Sequence, residues 1–221
     1  MKKLHKLIMT SGVYLQASEV SQEAKDHDAD NLYLSHFNSR RLLPEEIRDT
    51  MMQSFGSPNS KMAGRPVVPE SAREELYGLS GNNMWQLTAD VSEHRRPSIC
   101  MLLRRTFRPA MFETFDAPDG TQSCSRRVEG NTAPQSLTLL NGMWTMQEAG
   151  RLAEKLEGID DDGALIRKAW LAVYARPPRD DEVRSTRTFL ERQTAELGSK
   201  KAATVELIRV LFNTNEFLYV D

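Results

Sequence analysis

The chain has 221 residues, and its 29 lysines and arginines nearly balance its 31 aspartates and glutamates. This length is sufficient to bury a hydrophobic core without a metal or a disulfide. The near-neutral charge excludes a strongly basic nucleic-acid-binding domain, so nucleic acid is not an expected partner. Every apolar run is far shorter than the roughly 20 residues that span a bilayer, which argues against a membrane span.

The first quarter of the chain is predicted to combine short helices with loops. Apolar residues recur at helical spacing over residues 1–10, with no capping residue before them, so the sequence looks as though it begins inside a helix. Residues 17–31 are polar and rich in charge, which predicts a loop. Pro44 suits the first turn of a helix, and the pattern predicts that helix over residues 43–55. The opening segment lacks the apolar run of a signal peptide.

The middle of the chain is predicted to be mostly irregular. Residues 56–81 are rich in Gly, Pro, Ser and Asn, which is typical of a long connection. The apolar run at 99–103 is too short for its periodicity to distinguish a strand from a helix. Residues 115–134 are again predicted to be irregular. The two cysteines, Cys100 and Cys124, either form a disulfide or remain independent thiols.

From residue 134 onward, apolar residues repeat with the period of a helix. One stripe runs from Leu137 to Leu156, and three further helices follow it. Short links between them imply antiparallel neighbours. The predicted fold class is therefore mainly α, in a single domain whose loop-rich residues 1–133 pack on an antiparallel helical bundle over residues 134–221. The predicted core faces of the last three helices are Leu165, Ile166, Ala169, Trp170 and Val173; Val183, Thr186, Phe189, Leu190 and Gln193; and Val205, Ile208, Leu211 and Phe212.

Charged side chains cluster on the predicted 43–55 helix. Glu45 lies one turn from Arg48 and Asp49, and Arg41 lies about one turn before it. One interpretation is a hydrolase or lyase site, in which the two carboxylates act as acid and base and an arginine as electrophile. The interpretation we favour is a structural ion-pair network that ties the loops to the helix. The predicted network comprises Arg41, Glu45, Arg48, Asp49, Asp116 and Arg127.

Carboxylates in the irregular segments are weak candidates for metal ligands. Asp116 and Asp119, with Asp30, offer the oxygen ligands that calcium takes. The sequence has no twelve-residue calcium-binding loop, and Asp and Pro commonly form turns, so turn formation is the better explanation. The four histidines share no pair at the spacing of metal ligands. We therefore predict no metal site.

Aromatic side chains in the irregular middle are candidates for contact with carbohydrate. A carbohydrate-binding module exposes several aromatic rings on one concave face. Trp85 is the first candidate, and Tyr77, Phe107 and Phe112 accompany it. A carbohydrate-binding module is therefore one alternative function, and the hydrolase or lyase described above is the other.

Eight short blocks along nearly the whole chain resemble one family when they are considered together. Each block is weak alone, but their order and spacing are specific. The blocks are Lys3-Leu-His-Lys-Leu-Ile-Met-Thr-Ser11 with Tyr14; Asp30-Asn31; Arg40-Arg-Leu-Leu-Pro-Glu-Glu-Ile-Arg-Asp49; Phe115-Asp-Ala-Pro-Asp119; Cys124-Ser-Arg-Arg127; Thr132-Ala-Pro-Gln-Ser-Leu-Thr-Leu-Leu-Asn141; Arg176-Pro-Pro178; and Asn213-Thr-Asn-Glu-Phe-Leu-Tyr219. They resemble the Planctomycete-type domain of unknown function number 1553.

The resemblance implies a cellular context that the residues alone do not. That domain typically lies at the carboxy-terminal end of large exported proteins that also carry a cytochrome c domain. The resemblance therefore implies an exported or periplasmic parent protein, with haem in the parent and no cofactor in this chain. The implied partners are the cytochrome c domain, the missing amino-terminal part of the parent and a surface polysaccharide. The expected function is that of an uncharacterised, non-catalytic helical domain.

The chain departs from the family at two places. The family domain looks as though it begins upstream of Met1, with a glycine-rich segment and a helix that this chain lacks. The family also has a Pro-Thr helix start where this chain has Arg179. Because the usual hydroxyl cap is absent there, and Asp180 and Asp181 act only through the helix dipole, we expect a frayed first turn.

Overall fold

The computed structural model describes residues 1–56, 58–69, 87–103, 108–127 and 130–220. These residues are mainly helical, which confirms the predicted fold class. The chain divides into two compact units, the first formed by Met1–Arg41 with the residues from Tyr219 onward, and the second by Leu42–Leu218. Among the described residues, no helix is long and apolar enough to cross a membrane.

The first unit contains two short helices and a two-stranded sheet. They are α1 (Lys2–Met9), α2 (Gln22–His27), β1 (Arg40–Arg41) and β2 (Tyr219–Val220). The strands pair antiparallel, with Arg40 opposite Val220. Helix α1 confirms the helix predicted over residues 1–10, but the loop predicted over 17–31 is wrong at α2. The side chain of Ser21 caps that helix by accepting a hydrogen bond from the backbone N–H of Ala24 at 3.1 Å.

The second unit begins with α3 (Pro44–Phe55), which confirms the helix predicted there. Its inner face buries Ile47, Met51 and Met52. The helix ends at Gly56, whose φ of 83° lies in the left-handed region that glycine adopts without strain. Helix α3 is therefore a firmly packed element from which charged side chains project.

The described part of the middle region is irregular, as predicted. It contains two short 3-10 turns, Val91–Arg95 and Ser98–Cys100. Val67 and Met101 form an isolated parallel bridge. The apolar run at 99–103 therefore begins in the second turn and continues as extended chain, so it forms neither an α-helix nor a full strand.

A five-residue helix, α4 (Ala110–Thr114), was not predicted. It is too short to show a helical period, but it buries Phe112, which is 1% exposed. Cys100 and Cys124 are free thiols, which answers the question of a disulfide that the sequence left open. Cys124 is exposed and Cys100 is half-buried.

The rest of the second unit is a helical bundle. Its helices are α5 (Ala133–Asn141), α6 (Met143–Leu156), α7 (Asp162–Tyr174), α8 (Asp180–Leu197), α9 (Lys200–Phe212) and α10 (Asn215–Leu218). Helix α9 packs against both α6 and α8. The predicted core face of α7 is confirmed in full, whereas in α8 only Thr186 and Leu190 are buried. In α9 the predicted positions are buried except Val205, which is half-buried.

The stripe predicted from Leu137 to Leu156 is broken in the structure into α5 and α6. The break lies at Gly142, where a Cβ atom would approach the carbonyl oxygen of Thr138 to 2.4 Å, so only glycine fits. Leu137 is 57% exposed, and Leu139 is buried in its place. The turn between the helices changes the face that α5 directs inward, which a continuous helical period does not predict.

Helix α8 begins at Asp180, and a carboxylate in its first turn bonds back to the residue before it, while the fraying expected at Arg179 stays a prediction. The side chain of Glu182 accepts a hydrogen bond from the backbone N–H of Arg179 at 2.7 Å. The guanidinium of Arg176 holds the same carboxylate with bonds of 2.8 and 2.7 Å. The bond from Arg176 lowers the pKa of Glu182 to about 2, so this carboxylate is ionised at neutral pH.

Candidate functional site

The charged residues of α3 lie in two different surroundings. Arg48 and Asp49 lie beside the Ser98–Cys100 turn, whereas Glu45 faces a surface cleft. Arg41 is not on the helix at all. It belongs to β1 in the first unit, where its guanidinium lies 6.0 Å from the centre of the Tyr219 ring. The helical spacing of these residues therefore does not make them one site.

Arg48 is an interior cation, with only 3% of its side chain exposed. One terminal nitrogen donates to the carbonyl oxygen of Arg96 at 3.0 Å and to the hydroxyl of Ser98 at 3.2 Å. The other donates to the carbonyl oxygen of His94 at 2.9 Å. The guanidinium also lies 4.6 Å from the centre of the Trp144 ring. Burial lowers the pKa of Arg48 to about 10, which leaves it charged at neutral pH.

Asp49 stabilises the same contact between α3 and the Ser98–Cys100 turn. Its carboxylate accepts hydrogen bonds from the backbone N–H of Ser98 at 2.9 Å and from the Ser98 hydroxyl at 2.6 Å. It also lies 3.3 Å from Arg48. These bonds fix the Ser98–Cys100 turn against α3, so the carboxylate serves the fold at this position.

A second interior pair, Arg95 and Glu148, was missed by the sequence analysis. Glu148 is fully buried, and both of its oxygens accept hydrogen bonds from one nitrogen of Arg95 at 3.0 Å. Arg151 contacts the same carboxylate at 2.6 Å. A signal was present, because Glu148 lies one helical turn from both Trp144 and Leu152 and therefore interrupts the apolar stripe of α6.

Arg96 binds mainly backbone rather than carboxylates. Its guanidinium is 2% exposed and donates to the carbonyl oxygens of Lys61 at 3.0 Å, Arg65 at 3.1 Å and Ala63 at 2.5 Å. It also contacts Glu93 at 3.1 Å. A single side chain thus binds three carbonyl oxygens of the irregular segment 61–65.

A surface cleft beside α3 is a candidate for a binding site. Its volume is about 260 Å³. Glu45 and Arg127 form its polar wall, joined by two hydrogen bonds of 2.8 and 3.1 Å. Their side chains are 26% and 35% exposed, so both reach solvent. The remaining lining residues are Leu103, Arg108, Phe112, Ala117, Pro118, Asp119 and Gly120.

The two arginines of the cleft differ in how far their hydrogen-bonding capacity is used. Both terminal nitrogens of Arg127 bind Glu45, and this hydrogen bonding raises the pKa of Arg127. Arg108 donates one hydrogen bond of 3.3 Å to the carbonyl oxygen of Ala117. The carboxylate of Glu113 lies 3.8 Å from Arg108 and is largely exposed. The cleft therefore presents Arg108 as a cation that can bind an anionic oxygen of a ligand.

Asp116 binds residues farther along the chain, and Asp119 binds within a local turn. Asp116 has a φ of 59°, and its carboxylate accepts hydrogen bonds from the backbone of Gly130 at 2.9 Å and from Gln135 at 3.1 Å. Asp119 accepts hydrogen bonds from the hydroxyl and the backbone of Thr121, which lower its pKa. Among the residues that the structure describes, no group of three or more His, Cys, Asp or Glu is placed to hold a metal ion.

Only one of the four aromatic candidates for carbohydrate contact can be located. Trp85, Tyr77 and Phe107 lie outside the described residues. Phe112 lines the cleft but is 1% exposed, so it is not one of the exposed aromatic rings that a carbohydrate-binding module presents. The helix that carries it, α4, packs against α5.

Comparison with known proteins supports the resemblance seen in the sequence. A family model described as PSD1, protein of unknown function (DUF1553), matches residues 1–190. This range includes α1 to α7, the cleft and most of α8. No curated protein and no solved structure matches the chain.

Proposed function

The chain belongs to the PSD1 family of proteins of unknown function (DUF1553), and we propose that it is a non-catalytic helical module that binds polysaccharide for an exported, cytochrome c-associated protein. The observation that carries the proposal is the cleft, where an arginine with spare hydrogen-bonding capacity stands beside a guanidinium–carboxylate pair. Haem, in this proposal, belongs to the parent protein, and the chain itself holds no cofactor.

The bonding of the charged residues favours binding over acid–base catalysis. A general acid or base must exchange a proton with a substrate within hydrogen-bond reach. Asp49 is instead bonded to Ser98, and Arg48 is nearly fully buried. Glu45 faces the cleft, but Arg127 holds both of its oxygens. These hydrogen bonds and the burial of Arg48 weigh against the hydrolase or lyase alternative.

The size and charge of the cleft suit one acidic sugar unit of a longer chain. A volume of about 260 Å³ lies just below the roughly 300–1,000 Å³ of typical ligand sites. The Glu45–Arg127 pair offers both acceptors and donors to sugar hydroxyls. Arg108 suits a carboxylate or sulfate group on the sugar, because a guanidinium group binds such anions through two parallel hydrogen bonds. Acidic polysaccharide is therefore the ligand class that we propose.

We expect the substitution Arg108→Ala to weaken binding of an acidic oligosaccharide about tenfold, since it removes one charge-assisted contact. Isothermal titration of the chain with an oligogalacturonate, a sulfated dextran oligomer and neutral dextran measures this effect and separates carboxylate from sulfate recognition. Arg192→Ala on the exposed side of α8 is the matched control and should bind like wild type. Equal binding of neutral and acidic sugars, or no effect of Arg108→Ala, would contradict the proposal.

The exported, cytochrome c-associated context has its own test in the DNA upstream of the Met1 codon. We expect the reading frame to continue there and to encode a glycine-rich segment, an export signal and a Cys-x-x-Cys-His motif, since that motif attaches c-type haem. Haem absorbance of the full polypeptide, set against its absence from this chain, provides the second measurement. A stop codon directly upstream, followed by a ribosome-binding site, would argue against the exported parent.

A further inference from the structure

The first unit has an unusual distribution of apolar side chains. None of its described apolar residues is buried, and the side chains that are buried there are those of Asp28, Asn31 and Arg41. Yet eleven of the twenty large apolar residues that are exposed in the described chain belong to this unit. A polypeptide gains most of its stability by burying such surface, so this concentration indicates a face that another molecule covers.

Helix α1 contributes one part of that face. Leu4, Leu7 and Ile8 follow one another at helical spacing, and their exposed fractions are 55%, 69% and 49%. No residue of α1 is buried. The remaining positions include Lys3 and Lys6, and the helix contains no acidic residue. Helix α1 thus combines an uncovered apolar stripe with a uniformly basic polar side.

The Leu32–Leu34 loop contributes the second part and is held with its apolar side chains outward. The carboxylate of Asp28 accepts hydrogen bonds from the backbone N–H groups of Leu32 at 2.6 Å and of Tyr33 at 3.2 Å. The φ of Leu34 is 55°, a left-handed conformation that is costly for leucine. Tyr33 is nevertheless 84% exposed and Leu32 78% exposed. Ordering an apolar loop in this way stabilises a partner's binding, because less freedom is lost on association.

The two parts are joined through the segment that follows α1. The side chain of Gln16 donates to the carbonyl oxygen of Leu34 at 2.7 Å, and the backbone of Phe37 donates to Ala17 at 3.0 Å. Tyr14 and Leu15, which precede Gln16, are themselves 52% and 68% exposed. The docking surface is defined here as the exposed apolar residues of α1, of residues 13–15 and of the Leu32–Leu34 loop.

We propose that the docking surface binds an amphipathic helix of another polypeptide, whose apolar face covers it and whose flanking carboxylates pair with the lysines of α1. The charge of α1 supports this occupant, because its lysines attract the carboxylates of an acidic partner. An anionic lipid surface is the competing occupant, and the vesicle measurement described below distinguishes it from the acidic helix. This inference does not depend on the proposed binding of polysaccharide.

Binding of two designed peptides to the full chain tests the proposal. The probes are labelled 18-residue helical peptides that share a leucine face and carry either glutamate or lysine on the other positions. Fluorescence anisotropy should show the glutamate peptide binding at least about tenfold more tightly at low salt, with the difference shrinking as salt is added. Lys3→Glu combined with Lys6→Glu should abolish the preference without disturbing the fold, because both side chains are exposed.

Replacement of two exposed apolar residues by glutamine provides a matched pair of variants. Tyr33→Gln should weaken the glutamate peptide about fivefold to tenfold, whereas Ile99→Gln in the second unit, 83% exposed, should leave it unchanged. Equal binding of the two peptides, or insensitivity to Tyr33→Gln, overturns the proposal. Two other results also overturn the proposal. Preferential binding to phosphatidylglycerol vesicles assigns the surface to lipid. A dimer in light scattering that Tyr33→Gln dissociates assigns it to a second copy.

Discussion

Replacing Arg48 with methionine should lower the free energy of unfolding by about 3–5 kcal/mol, even though methionine fills a similar space. The guanidinium reaches the carbonyl oxygens of His94 and Arg96 and the hydroxyl of Ser98. Methionine donates no hydrogen bond, so these buried acceptors lose their donor while remaining shielded from water. The loss of the contact with the Trp144 ring adds to this effect.

Urea denaturation followed by circular dichroism measures the change for Arg48→Met. The matched control is Arg192→Met, an exposed arginine on α8 whose replacement should change stability by less than about 0.5 kcal/mol. Arg48→Lys should give an intermediate loss, because one ammonium reaches fewer of the acceptors than a guanidinium fork. A loss below about 1 kcal/mol for Arg48→Met would mean that the interior tie is not a major source of stability.

The helices were predictable where many apolar residues repeat, and not where few do. Helix α7 presents five core residues at the helical period, and all five are buried. Helix α2 contains no buried residue, and its start depends on the Ser21 cap in a segment that is polar throughout. Helix α4 is five residues long, which is less than two turns. Periodicity therefore detects helices that carry a repeating apolar stripe, whether the stripe is buried as in α7 or exposed as in α1, and misses those that caps or short contacts stabilise.

The candidate site was harder to predict because its contacts join residues far apart in the chain. Glu45 and Arg127 are 82 positions apart, and Asp49 and Ser98 are 49 apart. Helical spacing identifies neighbours only along a single helix, so it grouped Glu45 with Arg48 instead. The residue types were nevertheless informative, because charged side chains in loop-rich sequence predicted ties between loops and α3. The sequence alone does not predict which residue pairs with each charged side chain of α3, because the pairing depends on which loop reaches the helix.

Glu148 was also difficult to assign a partner from the sequence. Its replacement is the second large effect that we expect. Glu148→Ala should lower the free energy of unfolding by about 3–5 kcal/mol, because it removes the carboxylate that Arg95 and Arg151 contact and leaves Arg95 as a largely buried cation. The chain offers a control on the same helix. Glu154 is 62% exposed and lies 3.8 Å from Lys201, so Glu154→Ala should cost about 0–1 kcal/mol.

A double-mutant cycle separates the interior pair from the general effect of truncation. Because Arg95→Ala removes the cation that Glu148→Ala would leave buried, the two losses should add to more than the loss of the double variant, with a coupling of about 1–3 kcal/mol. Arg95 also lies 4.8 Å from the Phe55 ring and donates to the carbonyl oxygen of Met52, so part of its own loss is independent of Glu148. Strict additivity in urea denaturation would show that Arg95 and Glu148 do not stabilise each other. A measured coupling would instead establish this pair as a stabilising joint between α6 and the Val91–Arg95 turn.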